Sequence, residues 1–190
     1  MPDYVQKSRE HFGHQDPEHP QHYPHKYTKP VFGKRKPQAP IKNTTGEYLD
    51  EKDTKRIQEI SGTYLYYGRG VDSSILPTLN EILTQQSAPT TGTTAKTDML
   101  FDYLATHPDA KVRFYATNMY LYLESDAAHL VLPRARIRCA VYYYLGDKLQ
   151  SPTNKPAITG AVHVLCKTIP NVVSSAAEPK REVLLGNIRK

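Results

Sequence analysis

Apolar residues keep one period between residues 57 and 104 of this chain and another after it. Ile57, Ile60, Tyr64 and Tyr67 recur at helical spacing. So do Ile75, Leu76, Leu79, Ile82 and Leu83, and then Met99, Leu100, Tyr103 and Leu104. Residues three, four or seven apart share one face of a helix, so each set is a stripe that must be covered. From residue 111 the apolar residues instead come in short β-rich runs: Val112–Tyr115, Met119–Glu124, Ile137–Leu145 and Ala161–Cys166. Such side chains suit a pleated, half-buried surface. The sequence therefore predicts an α+β chain. A small helical connection unit occupies 51–108 and a sheet-bearing domain occupies 109–190. The last three runs pair as an antiparallel meander, and helical character returns after Ser174.

Local signals bound these elements. Asp53 is the expected N-cap of the first helix, and Gly68 and Gly70 end it. Asp72 or Ser73 opens the second helix. Ser87 to Thr94, with Pro89 and Gly92, reads as a loop, and His107-Pro108-Asp109 stops the third helix. Gly146-Asp147 and Ser151 to Pro156 read as turns between strands.

Residues 1–50 form a segment apart. Pro17, Pro20, Pro24, Pro30, Pro37 and Pro40 each remove a backbone donor and disfavour helix at the residue before. An extended or disordered Pro/His-rich segment is expected. Tyr4 to Ser8 could close a turn of helix, and Gln21 to Phe32 could lie along another domain. His11, His14, His19, His22 and His25 include HxxH spacings that would bind zinc on a helix. The prolines interrupt any such helix, so a solvated tail is expected and metal storage is a remote alternative.

The net charge of +6 is uneven. Residues 1–50 carry 8 Lys/Arg against 6 Asp/Glu, residues 51–126 carry 7 against 10, and residues 127–190 carry 10 against 3. Arg134, Arg136 and Arg138, with Lys167, make the last third a candidate phosphate-binding surface. On a strand, the three arginines would share one side. The same charge also suits an ordinary solvated surface. No run approaches the ~18 apolar residues of a membrane helix, and the N-terminus has no apolar signal region, so an intracellular protein, cytoplasmic or nuclear, is expected. Cys139 and Cys166 lack CxxC spacing and read as buried free thiols.

Chemistry concentrates at Asp126. It follows directly on the apolar run that ends at Glu124, and small residues flank it in Ser125-Asp126-Ala127-Ala128. A carboxylate at a strand end leaves room for hydrated magnesium and a phosphate. Glu178 follows 52 residues later, at the start of an expected helix. Two such carboxylates can begin a two-metal site, although the spacing equally fits surface acids.

Three segments, Ser125-Asp126-Ala127-Ala128-His129-Leu130, Pro133 to Arg138 and Val173-Ser174-Ser175-Ala176-Ala177-Glu178, resemble the ribonuclease H segment of copia-type retrotransposon polyproteins. Upstream, Arg56 to Tyr67 is similar to the helix that follows the polymerase in that family. Val71-Asp72, Leu79 and Phe101 to Leu104 fall where the family has its next two helices. Met1 to Val5 and Pro20 to Lys34 resemble its end-of-polymerase stretch. The resemblance implies a Pol fragment, running from the end of a reverse transcriptase into a truncated ribonuclease H-like domain. It further implies magnesium-dependent cleavage of RNA in RNA–DNA hybrids, with Asp126 and Glu178 as catalytic metal ligands. The chain departs from the pattern: Lys180 stands where the family carries a second Glu, and Pro179 precedes it. The expectation is therefore a fragment without activity of its own. The alternative is a non-catalytic RNA- or hybrid-binding module built on the basic last third.

Overall fold

The structure is a computed structural model that describes residues 3–26, 46–132, 136–151 and 154–169, with the side chains at 129–132 and 136 outside that description. It divides into two units, residues 1–110 and 111–190.

The first unit is helical: α1 (Tyr4–His11), α2 (Glu51–Gly70), a 3-10 turn (Ser73–Ile75), α3 (Leu76–Leu83) and α4 (Thr91–Thr106). The stripes read from the sequence supply most of its core, except that Leu83, Met99 and Tyr103 are only partly buried and Phe101 takes a core place. Ile57, Ile60, Tyr64 and Tyr67 of α2 are buried, as are Ile75, Leu76, Leu79 and Ile82, and Leu100, Phe101 and Leu104 of α4. Close packing of α2 on α3 depends on Gly68, where an added Cβ would crowd Leu76 and Ile75.

Two corrections concern the termini of this unit. Asp50, not Asp53, caps α2: its carboxylate accepts the Asp53 backbone N–H at 2.7 Å. Both residues are acidic and lie at the start of the helix, so composition could not separate them; backbone direction does, because Asp50 is extended and Asp53 already helical. α4 starts inside the stretch expected to be a loop. Thr90 and Thr93 form a reciprocal capping box, and the Thr93 hydroxyl also donates to Gln85 Oε1 at 2.9 Å. A hydroxyl at both positions satisfies the free N–H groups at a helix start as an acidic N3 residue would.

The N-terminal segment is not a free tail over its described residues. Val5 is buried, the Tyr4 ring stacks on Tyr67 at 5.4 Å, and the Tyr4 hydroxyl donates to the Thr63 carbonyl at 3.0 Å. Ser8 Oγ meets the Tyr64 hydroxyl at 2.9 Å, and Arg56 donates to the Phe12 carbonyl at 2.6 Å. Residues 46–50 are held as well. The Thr91 N–H bonds the Glu47 carbonyl and the Leu49 N–H bonds the Pro89 carbonyl. Gly46 has φ +94, and a side chain there would overlap the Thr91 hydroxyl. Prolines kept these residues from forming long helices, but they did not keep aromatic side chains from docking.

The second unit holds three strands, β1 (Tyr120–Leu132), β2 (Arg136–Gly146) and β3 (Ala161–Ile169), in an antiparallel sheet of order β1-β2-β3. The meander and all three of its strands were expected from the sequence. The expected strand at Val112–Tyr115 does not form. Its described ladder contact is a single bond, from the Gly160 N–H to the Arg113 carbonyl at 2.7 Å, with Phe114 and Tyr115 exposed. β propensity supplied a suitable run, but one bond does not fix a strand. The helix expected after Ser174 lies outside the described residues.

Two stability outcomes follow. Leu79 is fully buried, so Leu79→Ala should cost ~2–5 kcal/mol in urea unfolding of the chain. Burial pushes the Tyr64 phenol from 10.0 to about 12, and burial does the same to Tyr67. Because the folded pKa values lie above the unfolded one, their stabilising contribution is complete below pH 10 and is lost as pH rises through about 12. In a tyrosinate absorbance titration, Tyr64→Phe should remove amplitude near pH 12 and spare the earlier steps.

Candidate functional site

Directly paired residues of an antiparallel sheet lie on one face, and alternate residues along a strand share it. Asp126 pairs with Ala140, Ala128 with Arg138, and Glu124 with Tyr142. One face therefore carries Glu124 and Asp126 from β1, and Arg138, Tyr142 and Tyr144 from β2. From β3 it carries Val164, Cys166 and Thr168, which pair with Tyr142, Ala140 and Arg138. Asp126 and Arg138 are diagonal neighbours on it, a step of roughly 7–8 Å between Cα atoms.

The opposite face carries Ile137, Cys139 and Val141, which pair with Ile169, Lys167 and Leu165. Ile137, Cys139, Val141 and Ile169 form a buried cluster, flanked by Ala127, Tyr143 and Leu165. Lys167 is exposed on this face.

This geometry changes the site read from the sequence in three ways. Asp126 does not end a strand; it lies within β1, exposed, with ladder partners continuing to Ala128. The apolar run ends at Glu124, but backbone pairing does not. Ser125, Ala127 and Ala128 are small enough to continue opposite Val141, Cys139 and Arg138. Lys167 and Arg138 stand on opposite faces and cannot contact the same phosphate, because Lys167 pairs with Cys139, one residue out of phase. Cys166 is partly exposed rather than buried like Cys139, and the two, on opposite faces, form no disulfide. Burial, outweighing the nearby Arg138, still pushes the Cys166 thiol up.

Arg134 and Glu178 lie outside the described residues, and Arg136 is described only as backbone at the start of β2. The Arg138 Nε is buried with no hydrogen-bond partner, while the rest of the side chain is half-buried. Among the described residues no group of three His, Cys, Asp or Glu is placed to hold a metal ion. Asp126 and Glu124 share a face two positions apart, and a two-metal centre needs several carboxylates converging on ions ~3.5–4 Å apart. The described residues therefore do not complete a magnesium site.

The end of the Asp126 face beyond Tyr142 is closed by the β2–β3 connection. The Tyr142 hydroxyl donates to the Thr159 carbonyl at 2.8 Å, and the Thr159 hydroxyl donates to the Leu145 carbonyl at 2.9 Å. Tyr144 is buried there; burial, with Glu124 nearby, raises its phenol. An open cleft of about 340 Å³ lies beside this connection, lined in part by Tyr115, Asp147, Lys148 and Lys155.

In the helical unit, three of the five histidines expected to be solvated are fastened, while His11 and His19 are exposed. His14 stacks on Phe101 at 4.7 Å and contacts Asp102 at 2.8 Å, His25 bonds Thr78 at 3.1 Å, and His22 meets His107 at 3.3 Å. The HxxH spacing pointed to pairs within the segment. The partners lie 53 to 88 residues away, where no local pattern could signal them. Asp98, beside this cluster, has its carboxyl raised by burial, against the lowering effect of His14 and Arg56.

Comparison with protein-family models, curated proteins and solved structures finds no match to this chain. Among the described residues no helix is long and apolar enough to cross a membrane.

Nucleic-acid binding should separate the two faces. Arg138→Ala should weaken binding of an RNA–DNA hybrid and lower the salt slope by about 1, whereas Lys167→Ala should leave both unchanged. Fluorescence anisotropy across low to physiological salt measures both quantities.

Proposed function

We propose that this chain is a piece of a copia-type retrotransposon Pol polyprotein. It covers the helical connection that follows the reverse transcriptase and the opening sheet of a ribonuclease H-like domain, and it does not cleave RNA–DNA hybrid by itself. The observation that carries this reading is Asp126, held exposed on the first strand of a three-stranded antiparallel meander. That geometry suits a first metal-binding carboxylate, and it coincides with the residue singled out by the ordered motifs. The helical unit adds support, because the motif-bearing stretch Arg56 to Tyr67 folds as one amphipathic helix.

The inactivity follows from charge and count. Two-metal cleavage needs several carboxylates, and the resemblance supplies only Asp126 and Glu178. Lys180, where a second Glu is expected, would repel the metals. When bound in the complete domain, magnesium would supply polarisation of the phosphate and an activated water. In this chain Asp126 and Glu178 together would hold at most one ion, weakly.

RNA–DNA hybrid and the remainder of a Pol polyprotein are the partners implied, in a cytoplasmic or nuclear setting. The alternative of a dedicated nucleic-acid-binding module is disfavoured by the separation of Lys167 from Arg138 across the sheet.

A hybrid-cleavage assay with magnesium or manganese, comparing the chain with Asp126→Asn, should show no cleavage by either protein. Cleavage by the unaltered chain that disappears in the variant would overturn the inactivity and make Asp126 catalytic.

A further inference from the structure

We propose that His22 and His107 form a two-histidine site for a divalent transition metal, of the zinc, nickel or copper class, which staples the N-terminal segment to the end of α4. The two residues are 85 apart in sequence, yet His22 Nδ1 lies 3.3 Å from His107 Nε2. Two imidazole nitrogens bound tetrahedrally to one zinc at ~2.0–2.1 Å stand about 3.3–3.4 Å apart. The observed separation therefore already matches a chelate. The ring centroids are 5.4 Å apart and the planes are inclined by 54°, so the rings converge through their nitrogens rather than stacking face to face.

Both partners are held from behind. His107 is the C-cap residue of α4; its N–H donates to the Tyr103 carbonyl at 2.9 Å, and its ring lies 4.9 Å from the Tyr103 ring. His22 sits between Gln21, whose N–H donates to Thr106 Oγ1 at 2.9 Å, and Tyr23, whose carbonyl accepts from Gln21 Nε2 at 2.7 Å. Pro20 and Pro24 on either side restrict the backbone further. A preorganised pair loses little freedom when it binds an ion.

Chemistry and field agree with the geometry. Imidazole suits zinc, copper and nickel better than magnesium or calcium, which prefer oxygen. The C-terminal end of a helix carries a partial negative charge, which favours a cation beside His107. Both rings are exposed, so water can complete the coordination shell. In the free protein one ring donates its N–H to the other; in the complex each ring carries its proton on the outer nitrogen and turns a lone pair to the metal. The ion binds the docked form of the segment and not the detached form, so it raises stability by mass action.

Zinc titration of the full chain, followed by thermal unfolding, tests the site. Copper(II) electron paramagnetic resonance of the unaltered chain provides an independent measure. The melting temperature should rise with zinc concentration, the rise should vanish in both His22→Asn and His107→Asn, and it should persist in the control His19→Asn. The copper spectrum should show two imidazole nitrogens. No rise in the unaltered chain, a rise that survives in either single variant, or a copper spectrum with one imidazole would overturn the proposal.

Discussion

The helical unit depends on one aromatic seat. Tyr64 of α2 is fully buried with its ring edge-on to Phe101 of α4 at 5.5 Å, and its hydroxyl meets Ser8 of α1. A tyrosine at this point joins three elements, because the ring fills the helix–helix interface while the hydroxyl finds a polar partner at its rim. Phe101 continues the contact outward, to Phe12 at 6.0 Å and to the His14 ring. The N-terminal segment is thus fixed by aromatic contacts made sideways onto helices rather than by secondary structure of its own. His14, His22 and His25 of that segment find partners far along the chain.

In the sheet the governing constraint is register. Backbone pairing assigns every side chain of β1, β2 and β3 to a face, and a shift of one residue would exchange the two sets. The buried cluster of Ile137, Cys139, Val141 and Ile169 pins that register on one side. Asp126 and Arg138 are left together on the other, with Lys167 separated from them. The shift between Tyr143 and Tyr144, where β3 takes up an extra residue, lies next to the tyrosines that close one end of the Asp126 face. Irregular pairing of this kind is a common way to re-aim side chains beside a functional surface.

Functionally the two units offer different chemistry. The sheet presents an exposed acid, Asp126, and a half-buried arginine, Arg138, as diagonal neighbours on one face. The helical unit presents converging imidazoles at a helix end.

Sequence by itself determined the α+β class, most of the three helical stripes and the three paired strands. Each of these follows from a repeat of apolar residues over ten or so neighbours, which is local information. It also singled out Asp126, through the residues around it. Only the tertiary structure decided that Asp126 lies inside its strand and that Lys167 and Arg138 face apart, because pairing partners 10 to 30 residues away set where a strand ends and which way a side chain points. The same holds for Asp50 in place of Asp53, where the backbone's entry into the helix chose between two equivalent acids. It holds most fully for His22 and His107: the Gln21 N–H bonded to Thr106 brings the segment onto the end of α4, and no pattern of neighbouring residues encodes a contact of that range.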